Sequence, residues 1–106
     1  MIRNDYLLRM IQQLSEALAR IAGLRVAGQH ERALDELGKL YEELGTPREV
    51  VDVVDTATLV RLCGHPEKVR ALAKVIREEA KIFEALGDPR AAARLRRADE
   101  LEQSAG

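Results

Sequence analysis

Aromatic side chains are scarce in this chain: Tyr6, Tyr41 and Phe83 make up 3% of the residues, and tryptophan is missing. So small a set argues against a base-stacking nucleic-acid surface and against an aromatic-lined ligand pocket. Cys63 is the lone cysteine. It excludes an intrachain disulfide and a cysteine-based zinc site, and it fits a reducing, cytoplasmic setting. An excess of one charge is also missing, since 17 basic and 18 acidic residues leave a net charge of −1. Nucleic-acid binding draws on a basic excess that is not present. Residues 1–60 carry seven basic and ten acidic side chains and residues 61–106 carry ten and eight, too even a split for a charged tail. No apolar run approaches the roughly 20 residues that span a bilayer. The opening Met1-Ile2-Arg3-Asn4-Asp5 and the polar Arg9, Gln12 and Gln13 break up the apolar stretch a secretory leader needs. No nucleic-acid partner and no membrane is expected.

What remains suits one small soluble domain. The chain has 106 residues, 46% hydrophobic and 33% charged, and Leu and Ala number 15 each. One aliphatic core is within reach of this length and two are not. The domain is expected over residues 1–103, with Ser104-Ala105-Gly106 as a frayed tail.

All three prolines stand in the same tripeptide: Gly45-Thr46-Pro47, Gly64-His65-Pro66 and Gly87-Asp88-Pro89. Gly just past a helix end takes the left-handed conformation without a Cβ penalty, and Pro is favoured at the first position of the next helix. The residue between them is the expected N-cap, a role that suits Thr46 and Asp88, with Glu49 completing a capping box. Gly28-Gln29-His30 marks a softer boundary. Between these marks the apolar residues recur at helical spacing. Leu7, Met10, Leu14, Ala17, Ile21 and Leu24 stripe the first segment, and Ala33, Leu34, Leu37, Leu40, Tyr41 and Leu44 the second. The Val-rich stretch Pro47–Cys63 reads as a third helix, because the capping box and the spacing of Val50, Val54 and Ala57 outweigh its β-branched content. In the fourth, Pro66–Leu86, Val69, Leu72, Ala73, Ile76, Ala80 and Phe83 widen with Val75, Ile82 and Leu86 to about half the circumference, which calls for neighbours on two sides. A fifth, closing helix runs from Pro89 to about Gln103. The expected fold is all-α: five helices in antiparallel hairpins.

Two stretches resemble the second half of a tetratricopeptide repeat: Gly28 to Ala33, continuing to Leu37 and Leu40, and Gly87 to Ala92, continuing to Leu95 and Ala98. In that family Gly closes the turn, and the Ala five residues on lets the paired helices approach closely. The two copies are 59 residues apart, not a multiple of the family's 34-residue repeat. The first turn, Asp5-Tyr6-Leu7-Leu8-Arg9, is also similar to that of small bacterial all-helical proteins. The resemblance implies a helix-hairpin scaffold that binds other proteins, and it brings no catalytic residues.

Residues able to do chemistry are few. Asp52, Asp55, Cys63 and His65 are the candidates for a small helical enzyme or metal-dependent protein. Asp52 and Asp55 sit three apart on the expected third helix, where they could share a face. Cys63-Gly64-His65 pairs a thiol with an imidazole, although a metal site needs three or four ligands. Arg90, Arg94 and Arg97 fall at i, i+4 and i+7 and form a basic stripe, which reads best as a solvated face. Gly23 and Gly38 stand inside helices, where each costs about 1 kcal/mol relative to Ala and is explained equally by drift or by close backbone approach. No cofactor is expected.

The stronger signal is unpartnered apolar surface. A first helix of about 24 residues spans roughly 36 Å and a second of about 15 spans roughly 22 Å, so the start of the first overhangs its partner. Tyr6, Leu7 and Met10 on the overhang, with Val75, Ile82 and Leu86 on the wide fourth arc, are the expected contact residues for a protein partner. A homodimer is the simplest such partner, because an isologous contact needs one self-complementary patch. The expected role is a non-enzymatic protein–protein interaction or assembly module.

Overall fold

The computed structural model describes residues 2–105. Among them are six helices and no strand: α1 (Ile2–Val26), α2 (His30–Leu44), α3 (Arg48–Val53), α4 (Thr56–Cys63), α5 (Pro66–Leu86) and α6 (Ala91–Ala105). The glycine punctuation ends four of them. Gly28, Gly45, Gly64 and Gly87 all have φ between 70° and 81°. After α2, the Gly45 N–H donates to Glu42 O and the Thr46 N–H to Tyr41 O; after α5, Gly87 and Asp88 donate likewise to Glu84 O and Phe83 O. These are Schellman closures, which satisfy the last carbonyls of a helix. His65 caps α5, its Nδ1 accepting from the Glu67 N–H.

The Val-rich segment is two helices, not one. Val54 is extended (φ −104°, ψ 153°), and Asp55 starts α4 as its N-cap, accepting from the Thr58 N–H at 2.8 Å. An Asp that can satisfy an orphan donor three residues on favours a cap over a helix interior. The Val54 carbonyl accepts from Arg97 Nη1 of α6 at 2.7 Å. The expected capping box also fails. Pro47 is the N-cap of α3 without a side-chain bond, and Thr46 is buried. At the other end, α6 is helical through Ala105, with Ser104 Oγ donating to Glu100 O. Gly106 lies outside the described residues.

Helix α5 is the hub, packing against α1, α2, α4 and α6. This is the two-sided neighbourhood its wide apolar arc requires. The hairpin α5–α6 is antiparallel: Arg70 reaches the Ala105 carbonyl, and Arg77 pairs with Asp99 and Glu102. Val69, Leu72, Ala73, Val75, Ile76 and Ile82 join Leu14, Ile21, Leu37, Leu59, Ala98 and Leu101 in one core. Ala33 is buried and Ala92 exposed, so only the first of the two matched stretches places its Ala in a helix seam. A Cβ at Gly23 would meet nothing within 4 Å, and at Gly38 only Arg48 Nη2 at 3.9 Å, so close approach inside the chain explains neither glycine. Among the described residues no helix is long and apolar enough to cross a membrane.

Candidate functional site

Helix α1 has 25 residues against 15 in α2, a difference of about 15 Å at 1.5 Å per residue. The buried stripe of α1 begins at Leu14 and continues through Ala17 and Ile21. N-terminal to it the same helix runs past the end of α2, with Met10 and Ile11 still packed against the core. Tyr6 is 62% and Leu8 60% exposed, while Leu7, Met10 and Ile11 are half-buried between them. Where α2 stops, a groove of about 650 Å³ opens, walled by Asp5, Tyr6, Arg9, Met10 and Gln13 of α1 and by Glu43 of α2. Its apolar part is Tyr6 and Met10, and its charged part is one guanidinium and two carboxylates.

Of the six expected contact residues, the groove gathers Tyr6 and Met10, with Leu7 on the adjoining line of α1. Leu86 is exposed at the C-terminal end of α5 but is not a wall of the groove. Val75 and Ile82 are corrections: both are 0% exposed. Apart from Leu86 at its end, the wide arc of α5 is covered by the chain itself.

The candidate chemical residues are dispersed and already engaged. Asp52 sits on α3 and takes both terminal nitrogens of Arg94, at 3.0 and 3.1 Å. Asp55 caps α4, and the hydrogen bonds from Thr58 hold its carboxyl below the ordinary range. Cys63 is buried, and burial pushes its thiol up, away from the reactive thiolate. His65 Nδ1 is occupied by the cap of α5. Among the described residues no three His, Cys, Asp or Glu side chains converge as a metal would require.

The basic stripe is also overturned. Arg94 is 3% exposed and points into the protein, and Arg97 turns to the Val54 carbonyl. Arg90 folds back on Asp88 at 2.7 Å and over the Phe83 ring at 4.3 Å. The Asp88 carboxyl, holding the Arg90 side chain and backbone N–H, is lowered to about 2.

The buried end of Arg94 belongs to a cluster not expected from the sequence. Glu79, in the middle of α5, is 0% exposed. Tyr41 Oη of α2 donates to its Oε1 at 2.7 Å, and Arg94 Nε of α6 lies 3.0 Å from the same oxygen. Arg48 of α3 brings Nε to 2.6 Å from Oε2, an ion pair whose N–H is not aligned as a hydrogen bond. Arg48 also donates to the Leu34 carbonyl at 3.3 Å and lies over the Tyr41 ring. Burial, then the Glu79 charge, push the Tyr41 phenol far up from its ordinary value. Two acids, two guanidinium groups and a phenol thus tie α2, α3, α5 and α6 together, closed off from solvent at Glu79. Nearby, Arg25 of α1 meets the buried Glu78 at 2.6 Å. The sequence did carry a signal: Leu72, Ile76, Glu79 and Phe83 share one stripe, as do Ala91, Arg94, Ala98 and Leu101.

No protein-family model, no curated protein and no solved structure matches the chain.

Proposed function

We propose that the chain is a non-enzymatic protein–protein interaction module of the cytoplasm that docks through the overhanging start of α1, and that it self-associates there. The observation that carries this reading is the exposure of Tyr6 and Leu8 on a helix whose inward stripe continues past the end of α2. Val26, Val53, Leu62, Leu86 and Leu95 are exposed as well, but at the overhang the exposed Tyr6 lines one groove with the half-buried Met10. Apolar surface grouped at one place marks an interaction site, whereas single exposed apolar residues are ordinary. An amphipathic helix offering successive apolar positions is a common recognition mode. The helix-hairpin scaffold implied by the tetratricopeptide resemblance points to the same class of role.

The test is light scattering coupled to size exclusion over a hundredfold dilution. The expected mass is near twice 11.8 kDa at the concentrated end, falling towards the single-chain value on dilution. Tyr6→Glu combined with Leu8→Glu should give the single-chain mass throughout, with an unchanged helical spectrum. A wild-type monomer at every concentration, or a dimer indifferent to both substitutions, contradicts the reading.

A further inference from the structure

We infer that the occupant of the α1 groove is the same groove of a second copy, with the two overhangs antiparallel and Asp5 of each facing Arg9 of the other. The inference rests on the reading above and names its partner. The groove presents Arg9 together with the carboxylates of Asp5 and Glu43 and the apolar Tyr6 and Met10. A segment that fits must offer an acid opposite Arg9, a base opposite Asp5, and apolar surface between or beside them. The overhang itself meets these terms when turned end for end. Asp5 and Arg9 are four residues apart, about 6 Å along the helix, and a twofold axis level with Leu7 exchanges their positions.

Antiparallel pairing sets Asp5 of each copy against Arg9 of the other, twice by symmetry, with Glu43 left to its own chain's side of the groove, and packs Tyr6 and Met10 across the same axis. Parallel pairing sets Asp5 against Asp5 and Arg9 against Arg9, which like-charge repulsion disfavours. A wholly acidic or wholly basic partner segment leaves one of these charges opposed by its own sign. The second copy does not.

The test is charge exchange, read as the dimer dissociation constant from sedimentation or light scattering. Asp5→Arg alone and Arg9→Asp alone should each weaken dimerisation about tenfold, from losing both pairs and placing like charges together. The double variant Asp5→Arg with Arg9→Asp should return to within about threefold of wild type, since both pairs are rebuilt with their signs reversed. Both positions are exposed, so folding is not at stake, and far-UV circular dichroism checks it. A salt titration of the wild-type chain adds a test without substitution: the dimer should weaken as salt rises.

Single reversals that leave dimerisation unchanged, or a double variant no better than the singles, overturn the antiparallel arrangement. If dimerisation is nevertheless lost in Tyr6→Glu with Leu8→Glu, the docking role of the overhang stands and only its register fails. If the wild-type chain is a monomer throughout, both fail.

Discussion

At the start of α1 the chain leaves Tyr6 and Leu8 in water, whereas half-way along α5 it encloses Glu79 completely and sets Arg94 beside it. The two regions sort their side chains in opposite ways for one reason, the number of helices around each. Helix α5 packs against four helices and leaves only the face of Arg70, Lys74, Lys81 and Glu84 to solvent, so Glu78 and Glu79 on its packed faces are buried whatever their polarity. A carboxylate there is tolerable only because Tyr41, Arg48 and Arg94 converge on it from three helices. Taking ions out of water costs several kcal/mol each, and close partners return that only when the geometry is complete. Helix α1 outruns α2 by ten residues, so its apolar stripe is only half covered at that end.

The contrast breaks most directly at Glu79. Glu79→Gln removes the buried charge that Arg48 and Arg94 share, leaving Arg94 with Asp52 alone, and should cost about 3 kcal/mol in urea unfolding. Replacing Glu79 and Arg94 together by Leu should recover much of that loss, since a buried pair exchanged for apolar side chains is often neutral. A Glu79→Gln chain as stable as wild type would show that the cluster does not hold the helices together.

A smaller loss is expected from Tyr41→Phe. It removes one donor from the buried carboxylate, about 1–3 kcal/mol. The pH dependence sharpens the case. The folded Tyr41 phenol is held above its unfolded value near 10, so its contribution is complete below about pH 10 and is lost as pH rises beyond it. Wild-type stability should therefore fall more steeply than that of Tyr41→Phe in this alkaline range.

At the other region Tyr6→Glu should change the stability of the single chain by no more than about 0.5 kcal/mol, as surface substitutions do. The same change should act strongly on association. A large loss of folding stability would mean that the overhang belongs to the core after all.

The smallest effect concerns Asp88, whose folded carboxyl lies at about 2 because it holds Arg90. A depressed carboxyl stabilises above its unfolded value, near 3.9, and loses that contribution as pH falls through the folded value. The stability difference between wild type and Asp88→Asn should thus be constant above about pH 5 and shrink between about pH 4 and 2. A difference that is flat through this window would place the Asp88–Arg90 contact outside the folded-state energetics.

Much of the fold was legible because its signals are local. Gly45, Gly64 and Gly87 close helices where their tripeptides mark them, and the overhang follows from the lengths of two segments. The break at Val54 was hidden because Asp55 and Thr58 read equally as a cap and as helix surface; Arg97, 43 residues away, takes up the carbonyl at the break. Val75 and Ile82 were misplaced for a related reason. An apolar arc shows that a helix needs neighbours, but whether these belong to the same chain depends on tertiary packing. Glu79 and Arg94 follow the same logic in reverse. Their place on the stripes was readable, yet only the folded arrangement shows that each is the other's partner.

Amide hydrogen exchange at two protein concentrations a hundredfold apart tests the central contrast most directly. Covering of the overhang by a second copy predicts that protection over residues 8–13 rises with concentration, while protection over residues 69–83 of α5 stays the same. Equal protection over residues 8–13 at both concentrations would contradict it.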